Sequence, residues 1–307
     1  MAVTDSVIGL GTWPLGGRAY GPVSGADATA TIAAALHAGT SFFDTADIYG
    51  DGRAEELLGA ALPPPGCLVA TKAGYLTERG SGQDFGPRHV TAALHGSSRR
   101  LGRVPDLLLL HSPPRAVLER GDAPALLDEL RARGDVARTG VSVRDVADVD
   151  AALAWPGCSA VEVIVNLLDQ RAVETGALAR ARGRGVEVIA RVPLCFGWLS
   201  DTGPPSRLHP GDHLLRWSPE QRERWARGAA RFAFLRRPDR TLAQAAIAFC
   251  AALPGVTWVV PGARTPAQAA QNAAAVDVGR ALSQDELERA LALGPLMTRE
   301  TVPRPNG

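Results

Sequence analysis

The stretch Cys67-Leu68-Val69-Ala70-Thr71-Lys72-Ala73-Gly74 is a short apolar run closed by a charge and a glycine. Its length, its β-prone residues and its boundaries read as a buried parallel strand over Cys67–Thr71. That strand hands Lys72 to whatever lies beyond its C-terminal end. Working outward, the same pattern recurs at Ser41–Phe43 and Val7–Leu10 on one side. On the other it recurs at Asp106–Leu110, Thr139–Ser142, Ala160–Val165, Val186–Arg191 and Trp258–Val260. Amphipathic, often Ala-rich stretches separate these runs: Asp27–Ala38, Arg53–Leu62, Arg88–Leu101, Ala123–Arg133, Val146–Leu153, Arg171–Arg184, Leu242–Leu253 and Pro266–Ala275. Eight strand–helix alternations over 307 residues predict an α/β fold, a closed (β/α)₈ TIM barrel. A doubly wound open sheet is the alternative, but no G-x-G-x-x-G opens an early helix.

Residues 1–307 read as one domain, without matched internal repeats or a long linker. Two segments exceed the minimal barrel. Leu199–Pro219, rich in Pro, Gly and polar residues, follows the seventh strand, where lids over the catalytic face belong. The Ser218–Leu235 stretch after it reads as an extra helix, with Ser218 as cap and Pro219 at the first helical position. Ser283–Leu293 is a second, with Ser283 and Glu286 spaced as a capping box.

Composition narrows the function classes. A net charge of +1 gives no electrostatic reason to expect nucleic acid or an anionic membrane surface as partner. No run approaches the roughly 18 apolar residues of a membrane helix, and Met1–Gly11 lacks the features of a signal peptide. Cys67, Cys158, Cys195 and Cys250 are scattered and form no C-x-x-C pair, which predicts free thiols in a reducing cytoplasm. His209 and His213 are spaced H-x₃-H, but without an obvious third ligand no metal is expected. An early H-x-H, as a metal-dependent barrel hydrolase would want, is missing. The sequence leaves the oligomeric state open.

Barrel enzymes carry their chemistry just past the C-terminal ends of their strands. After the second strand comes Phe43-Asp44-Thr45-Ala46-Asp47-Ile48-Tyr49-Gly50, after the third Thr71-Lys72-Ala73-Gly74, and after the fourth Leu110-His111-Ser112-Pro113-Pro114. Three consecutive strands thus send a carboxylate, a phenol, an ammonium and an imidazole to one rim. Lys72 is the single lysine among 33 basic residues. Codon bias toward arginine accounts for the rest, so a lysine that remains points to a task for a compact, tunable ammonium. A nearby ammonium favours a phenolate and so makes a phenol a better acid. A carboxylate holds the ammonium, and an imidazole orients a carbonyl oxygen. Singly, Asp44 reads as a cap, Tyr49 and His111 as packing residues and Lys72 as an ion-pair partner; together they read as a proton-transfer site.

Phe42–Gly50, Val69–Gly74 and Asp106–Pro114 resemble the signatures of the aldo-keto reductases, and the resemblance runs from Gly9-Leu10-Gly11-Thr12-Trp13 to Asn272. It implies a catalytic tetrad of Asp44, Tyr49, Lys72 and His111. It also implies NADPH as hydride donor and a small-molecule aldehyde or ketone as substrate, with Tyr49 as proton donor. Pro193-Leu194-Cys195-Phe196-Gly197 resembles the family's pyrophosphate loop, in which Leu194, Cys195 and Gly197 would offer backbone. Pro261-Gly262-Ala263-Arg264-Thr265-Pro266 resembles the adenosine-phosphate loop. There Gly262 allows close approach, Arg264 would pair with the 2′-phosphate, and Gln268 and Asn272 would face the ligand from the next helix. Trp13, Asp44, Ser142, Glu162 and Arg191 complete the implied cofactor set. The pattern departs at Val143, where an asparagine is usual, at Glu162, where a glutamine is frequent, and at Arg191, where an aromatic often covers the nicotinamide. Trp13, Tyr20, Tyr75, Phe85 and Trp198 are candidate substrate walls. The bottom hairpin common in the family is short or missing, so the barrel floor needs another cover. The same residues run in reverse would oxidise a sugar or alcohol. An NADP-binding regulatory subunit is a further reading, against which the intact tetrad argues.

Overall fold

The computed structural model describes residues 7–62, 66–76, 82–204, 208–277 and 279–294. Its sheet is parallel throughout and closes on itself. The strands are β1 (Val7–Ile8), β2 (Leu10–Gly11), β3 (Phe42–Asp44), β4 (Leu68–Ala73), β5 (Leu107–His111), β6 (Arg138–Ser142), β7 (Ala160–Ile164), β8 (Glu187–Arg191) and β9 (Trp258–Val260). From β2 to β9 each strand pairs with the next in chain order, and β1 pairs with β9. β1 and β2 are two halves of one strand around Gly9, whose N–H donates to the Val259 carbonyl at 2.8 Å. Any larger residue at Gly9 would place its Cβ 2.7 Å from the Phe42 carbonyl. The result is the eight-stranded barrel that the alternation predicts.

The helices are α1 (Gly25–His37), α2 (Arg53–Ala61), α3 (Pro87–Leu101), α4 (Arg115–Arg120), α5 (Asp122–Ala132), α6 (Val149–Leu153), α7 (Arg171–Glu174), α8 (Ala177–Gly183), α9 (Pro219–Ala230), α10 (Leu242–Ala252), α11 (Pro266–Ala273) and α12 (Gln284–Ala292). Three expectations need adjustment. Arg171–Arg184 is not one helix: Gly176, at φ +69°, separates α7 from α8. Val146–Leu153 begins as a 3₁₀ turn capped by Asp145 before α6. The Ser218 helix, α9, ends at Ala230, and a 3₁₀ turn follows at Ala233–Leu235. Ser218 caps α9, and Ser283 and Glu286 form the reciprocal box on α12. A second box, Thr241 with Gln244, starts α10.

Strand period divides the core in two. Residues pointing outward, such as Val69, Leu108, Leu110, Val141 and Val161, meet the helices. Those pointing inward form a separate interior cluster of Phe42, Ala70, Leu107, Leu109, Ala160, Ile189 and Val260. Below it Trp258 stacks on Phe42 with ring centroids 4.5 Å apart. Its indole donates to Glu187, which pairs with Arg138 at 2.8 Å. These side chains cover the floor from inside. The N-terminal hairpin question falls on residues 1–6, outside the described residues.

Arg240 ties the C-terminal segment to the barrel. Its guanidinium is buried, donates to the Leu235, Arg280 and Ala281 carbonyls, and pairs with Glu286 at 2.6 Å. Glu286 therefore caps α12 and anchors it at once. Although partial burial pushes the other way, hydrogen bonds from Arg240 hold its carboxyl down at about 2. A depressed carboxyl contributes stability above its unfolded value, about 4.3, and loses it as pH falls through the folded one. Glu286→Gln keeps a capping amide but removes the charge. It should cost about 1.5–3 kcal/mol at neutral pH, and the gap in thermal midpoint from wild type should close toward pH 2. A gap that does not change with pH would refute the assignment.

Candidate active site

Register assembles the rim. His111 pairs with Ser142 across β5 and β6, and Ser142 with Glu162 across β6 and β7, so these three form one row around the barrel. All three point inward, as do Asp44, Lys72 and Arg191 from β3, β4 and β8 by the same alternation. The interior thus turns from apolar to ionic in one layer at the C-terminal mouth.

Lys72 is the centre of that layer. Its ammonium donates to Asp44 Oδ1 at 2.5 Å and to the Thr45 carbonyl at 3.0 Å. Glu162 Oε2 lies 3.3 Å away. The lysine side chain is 0% exposed, so these contacts act with little solvent screening. Although burial opposes the charged form, Asp44 and Glu162 outweigh it and hold Lys72 protonated. Burial and the neighbouring Glu162 push Asp44 upward against the pull of Lys72. Thr12 fixes the Asp44 carbonyl with both its N–H, at 2.9 Å, and its hydroxyl, at 3.0 Å.

Tyr49 arrives from the loop after β3. Its ring centroid is 5.4 Å from Lys72 Nζ and 6.1 Å from the His111 ring, which it meets edge-on. The expectation of an acidified phenol requires correction here. Burial, joined by Asp44 and Glu162, outweighs the acidifying pull of Lys72, and the net shift of Tyr49 is upward. The phenol therefore holds its proton. His111 is driven well down by burial, then by Lys72 and Arg191, which makes it a neutral imidazole.

Supports absent from the sequence reading hold this layer in place. Glu55 on α2 is fully buried, accepts from the Thr71 hydroxyl at 2.6 Å, and pairs with Arg100 of α3 at 2.7 Å, which anchors β4 one residue before Lys72. Gln83 donates to the carbonyls of His111 and Ser112, both at 3.0 Å, and accepts from Arg144. Glu55 did leave a signal, since it shares the inward helix face with Leu58. Gln83 left none, because its partners lie 28 and 29 residues away.

Past β8 the backbone takes a left-handed course at Val192 (φ +58°), Cys195 (φ +45°) and Phe196 (φ +57°). A β-branched residue in that region is strained and persists only where neighbours impose it. Asn166 braces this turn, donating to the Val192 carbonyl at 3.1 Å. Gly197 has open space where a Cβ would stand. The segment that follows crosses the mouth: the His213 N–H and its Nδ1 lie 2.8 Å and 2.9 Å from the Ala19 carbonyl. The imidazole sits among Trp13, Tyr20, Phe196 and Trp217. On the neighbouring β9 loop Arg264 donates to the Pro22 carbonyl, and Thr265 caps α11. Glu162 Oε2, Arg191 Nε and Arg264 Nε are buried without a hydrogen-bond partner. The two unpartnered guanidinium nitrogens suit an anionic group, and the Glu162 oxygen suits a hydrogen-bond donor such as an amide.

A family model described as "Aldo/keto reductase family" matches residues 7–293. The chain belongs to the aldo/keto reductase family. It is 33% identical to an uncharacterised oxidoreductase of Mycobacterium tuberculosis, over 95% of this chain and 92% of that one. It is 27% identical to an L-galactose dehydrogenase of Arabidopsis thaliana, over 92% and 87%. Among solved structures, an aldo-keto reductase of Klebsiella pneumoniae in complex with NADPH superposes with a TM-score of 0.68 at 28% identity, over 96% and 93%.

As an aldo/keto reductase, the protein is an oxidoreductase. The structure gathers Asp44, Tyr49, Lys72 and His111 at one rim and sets Ser142, Glu162 and Arg191 in the same layer. Leu194, Cys195 and Gly197 lie on the left-handed loop; Gly262 and Arg264 lie beyond β9. Gln268 accepts from the Arg264 N–H at 2.8 Å, and buried Asn272 donates to the Gly262 carbonyl at 3.2 Å, so both shape the loop. Among the candidate walls, Trp13 lies 6.1 Å from the Tyr49 ring and Tyr75 4.8 Å from the His111 ring. Tyr20 packs on Trp13. Phe85 and Trp198 pack instead against the outer core. No helix among the described residues is long and apolar enough to cross a membrane.

Proposed function

We propose that the protein is an NADPH-dependent reductase of an aldehyde or ketone, with Tyr49 as the proton donor. The observation that carries this reading is the buried meeting of Asp44, Tyr49, Lys72 and His111 at one barrel mouth. The reduced nicotinamide supplies the hydride when bound. The chain's own residues do the rest. Neutral His111 donates a hydrogen bond to the carbonyl oxygen and aims it at Tyr49. As negative charge grows on that oxygen, the Tyr49 hydroxyl gives up its proton. Lys72 stabilises the tyrosinate left behind, and Asp44 holds Lys72 in place. Burial of the layer keeps water from competing.

For the cofactor, the Leu194–Gly197 loop offers its backbone to the pyrophosphate. Ser142, Glu162 and Arg191 lie at the nicotinamide end, and Trp13 closes one side. Arg264 and the N-terminus of α11 suit the 2′-phosphate, with Gly262, Gln268 and Asn272 keeping the loop in shape. The Klebsiella structure's NADPH supports this choice. The Arabidopsis relative is named for oxidation, which the same residues perform in reverse.

The test is NADPH consumption with a panel of small aldehydes. Turnover is expected with at least one, and tight cofactor binding without any turnover would favour a regulatory role. Arg264→Ala should raise the KM for NADPH by about 10- to 100-fold, the worth of one charge-assisted hydrogen bond. The KM for NADH should hardly move. Equal losses for both cofactors would place Arg264 elsewhere.

A further inference from the structure

We infer that Glu162 is a positioning residue for protons: a second buried carboxylate against Lys72 that biases the site toward giving a proton over taking one. The inference rests on the proposed role of Tyr49.

One ammonium here serves two carboxylates. Asp44 Oδ1 is 2.5 Å from Lys72 Nζ and Glu162 Oε2 is 3.3 Å from it, with side chains 7% and 2% exposed. Asp44 is the nearer partner, but burial and Glu162 push its carboxyl up to about 7, so at neutral pH it does not balance the lysine charge alone. Glu162 takes up part of the lysine charge that a tyrosinate formed nearby would otherwise meet, and in this buried layer water screens little of that effect. Arg191 offsets part of this, but its Nε stands 3.6 Å from Glu162 Oε1 and makes no hydrogen bond. Its guanidinium is also committed to the Val143 carbonyl at 3.1 Å.

The other groups around Tyr49 do not supply this charge. His111, from β5, is neutral. Tyr20, from the loop after β2, is itself held protonated by burial and by Asp212 of the crossing segment. Asp47 lies on the same loop as Tyr49, and burial with Glu55 behind it pushes its carboxyl up to about 7. Burial acts most strongly on the Tyr49 phenol; among the charges, Glu162 follows Lys72 and Asp44 and precedes Arg191. An amide at this position would fill the same volume without the charge, so the carboxylate itself is the informative choice.

The consequence is directional. Reduction needs Tyr49 protonated: its O–H bond breaks as the alkoxide O–H bond forms, and the tyrosinate then takes a proton from water. Oxidation needs the tyrosinate first, as base. Glu162→Gln should move the alkaline fall of kcat/KM for reduction down by about one pH unit. Oxidation of the matching alcohol at neutral pH should rise about tenfold. Removing the opposing cation, as Arg191→Gln, should move the same limb up. Opposite movements from two neighbouring substitutions are not what general damage produces.

A second readout needs no turnover. The chain has three tyrosines, Tyr20, Tyr49 and Tyr75. Tyrosinate absorbance of the cofactor-free protein, less that of a Tyr49→Phe counterpart, therefore isolates one phenol. That signal should appear at lower pH in Glu162→Gln than in wild type, and Glu162→Asp, which keeps the charge, should behave as wild type. An unshifted limb and an unshifted tyrosinate signal in Glu162→Gln would overturn the inference. So would lost cofactor affinity with no change in pH profile. Should Glu162→Gln not fold, the upward shift in Arg191→Gln decides alone. Full turnover in Tyr49→Phe is a separate outcome: it removes the donor role itself, whatever Glu162 does.

Discussion

Lys72→Met is expected to lose about 3–5 kcal/mol of stability and about 10²- to 10⁴-fold in turnover. Both losses have one cause. Lys72 is fully buried and neutralises Asp44 directly and Glu162 at slightly longer range. A methionine fills similar space but leaves two carboxylates facing each other away from water. Removing one partner of a buried pair costs far more than the pair contributes, because the remaining charge stays desolvated. Part of the loss should be recovered at acid pH. There the orphaned carboxyls take up protons, so the gap in denaturation midpoint from wild type should narrow as pH falls. Turnover falls because the tyrosinate left by proton transfer has no counter-charge. Lys72→Arg separates charge from shape: it keeps a cation but puts a wide, planar group in a place now filled by one ammonium touching Asp44 and the Thr45 carbonyl. It should therefore be more stable than the methionine variant and still far slower than wild type. Wild-type stability in Lys72→Met would mean that the carboxyls are already neutral, and the charge account of the site would fail.

Tyr49→Phe is the second large effect, and it should fall on chemistry alone. The ring keeps its contacts with Trp13 and its edge-on meeting with His111, so packing changes little. What disappears is the O–H that finishes the reduction. General acid catalysis by a positioned group contributes about 10²- to 10⁴-fold, and here no other donor suits the task. His111 can hydrogen-bond but is held neutral, and Lys72 is engaged by Asp44. The thermal midpoint and NADPH affinity should stay near wild type.

The fold was legible because a parallel barrel writes itself locally. Each buried strand is a continuous apolar run, each helix an amphipathic one, and the alternation needs no long-range information. The rim residues were legible for the same reason, since the end of each run marks the mouth. Supports that depend on tertiary placement could not be read. Nothing near Gln83 announces that it will tie the β4–α3 loop to the His111 carbonyl, and Arg240 looks like any other arginine until Glu286 folds onto it. The break at Gly176 was missed because helix patterning continues on both sides of it.

The chemistry of Tyr49 shows the limit most plainly. A lysine beside a tyrosine reads, from sequence, as a device that lowers the phenol's affinity for its proton. In the folded chain burial of the phenol outweighs that lysine, two carboxylates beside it add to the effect, and the balance reverses. The identities were visible; the sum of their charges required their positions. Glu162 illustrates this: in the sequence it is a departure from a frequent glutamine, and in the structure it is a second negative charge against Lys72.

The most direct test is a side-by-side comparison of wild type and Tyr49→Phe with one aldehyde at saturating NADPH. Cofactor affinity should be measured independently by fluorescence. The account predicts equal affinity for NADPH, an unchanged thermal midpoint, and a fall in kcat of about 10²- to 10⁴-fold. Equal kcat in the two proteins would contradict it, because the proton would then be coming from somewhere other than Tyr49.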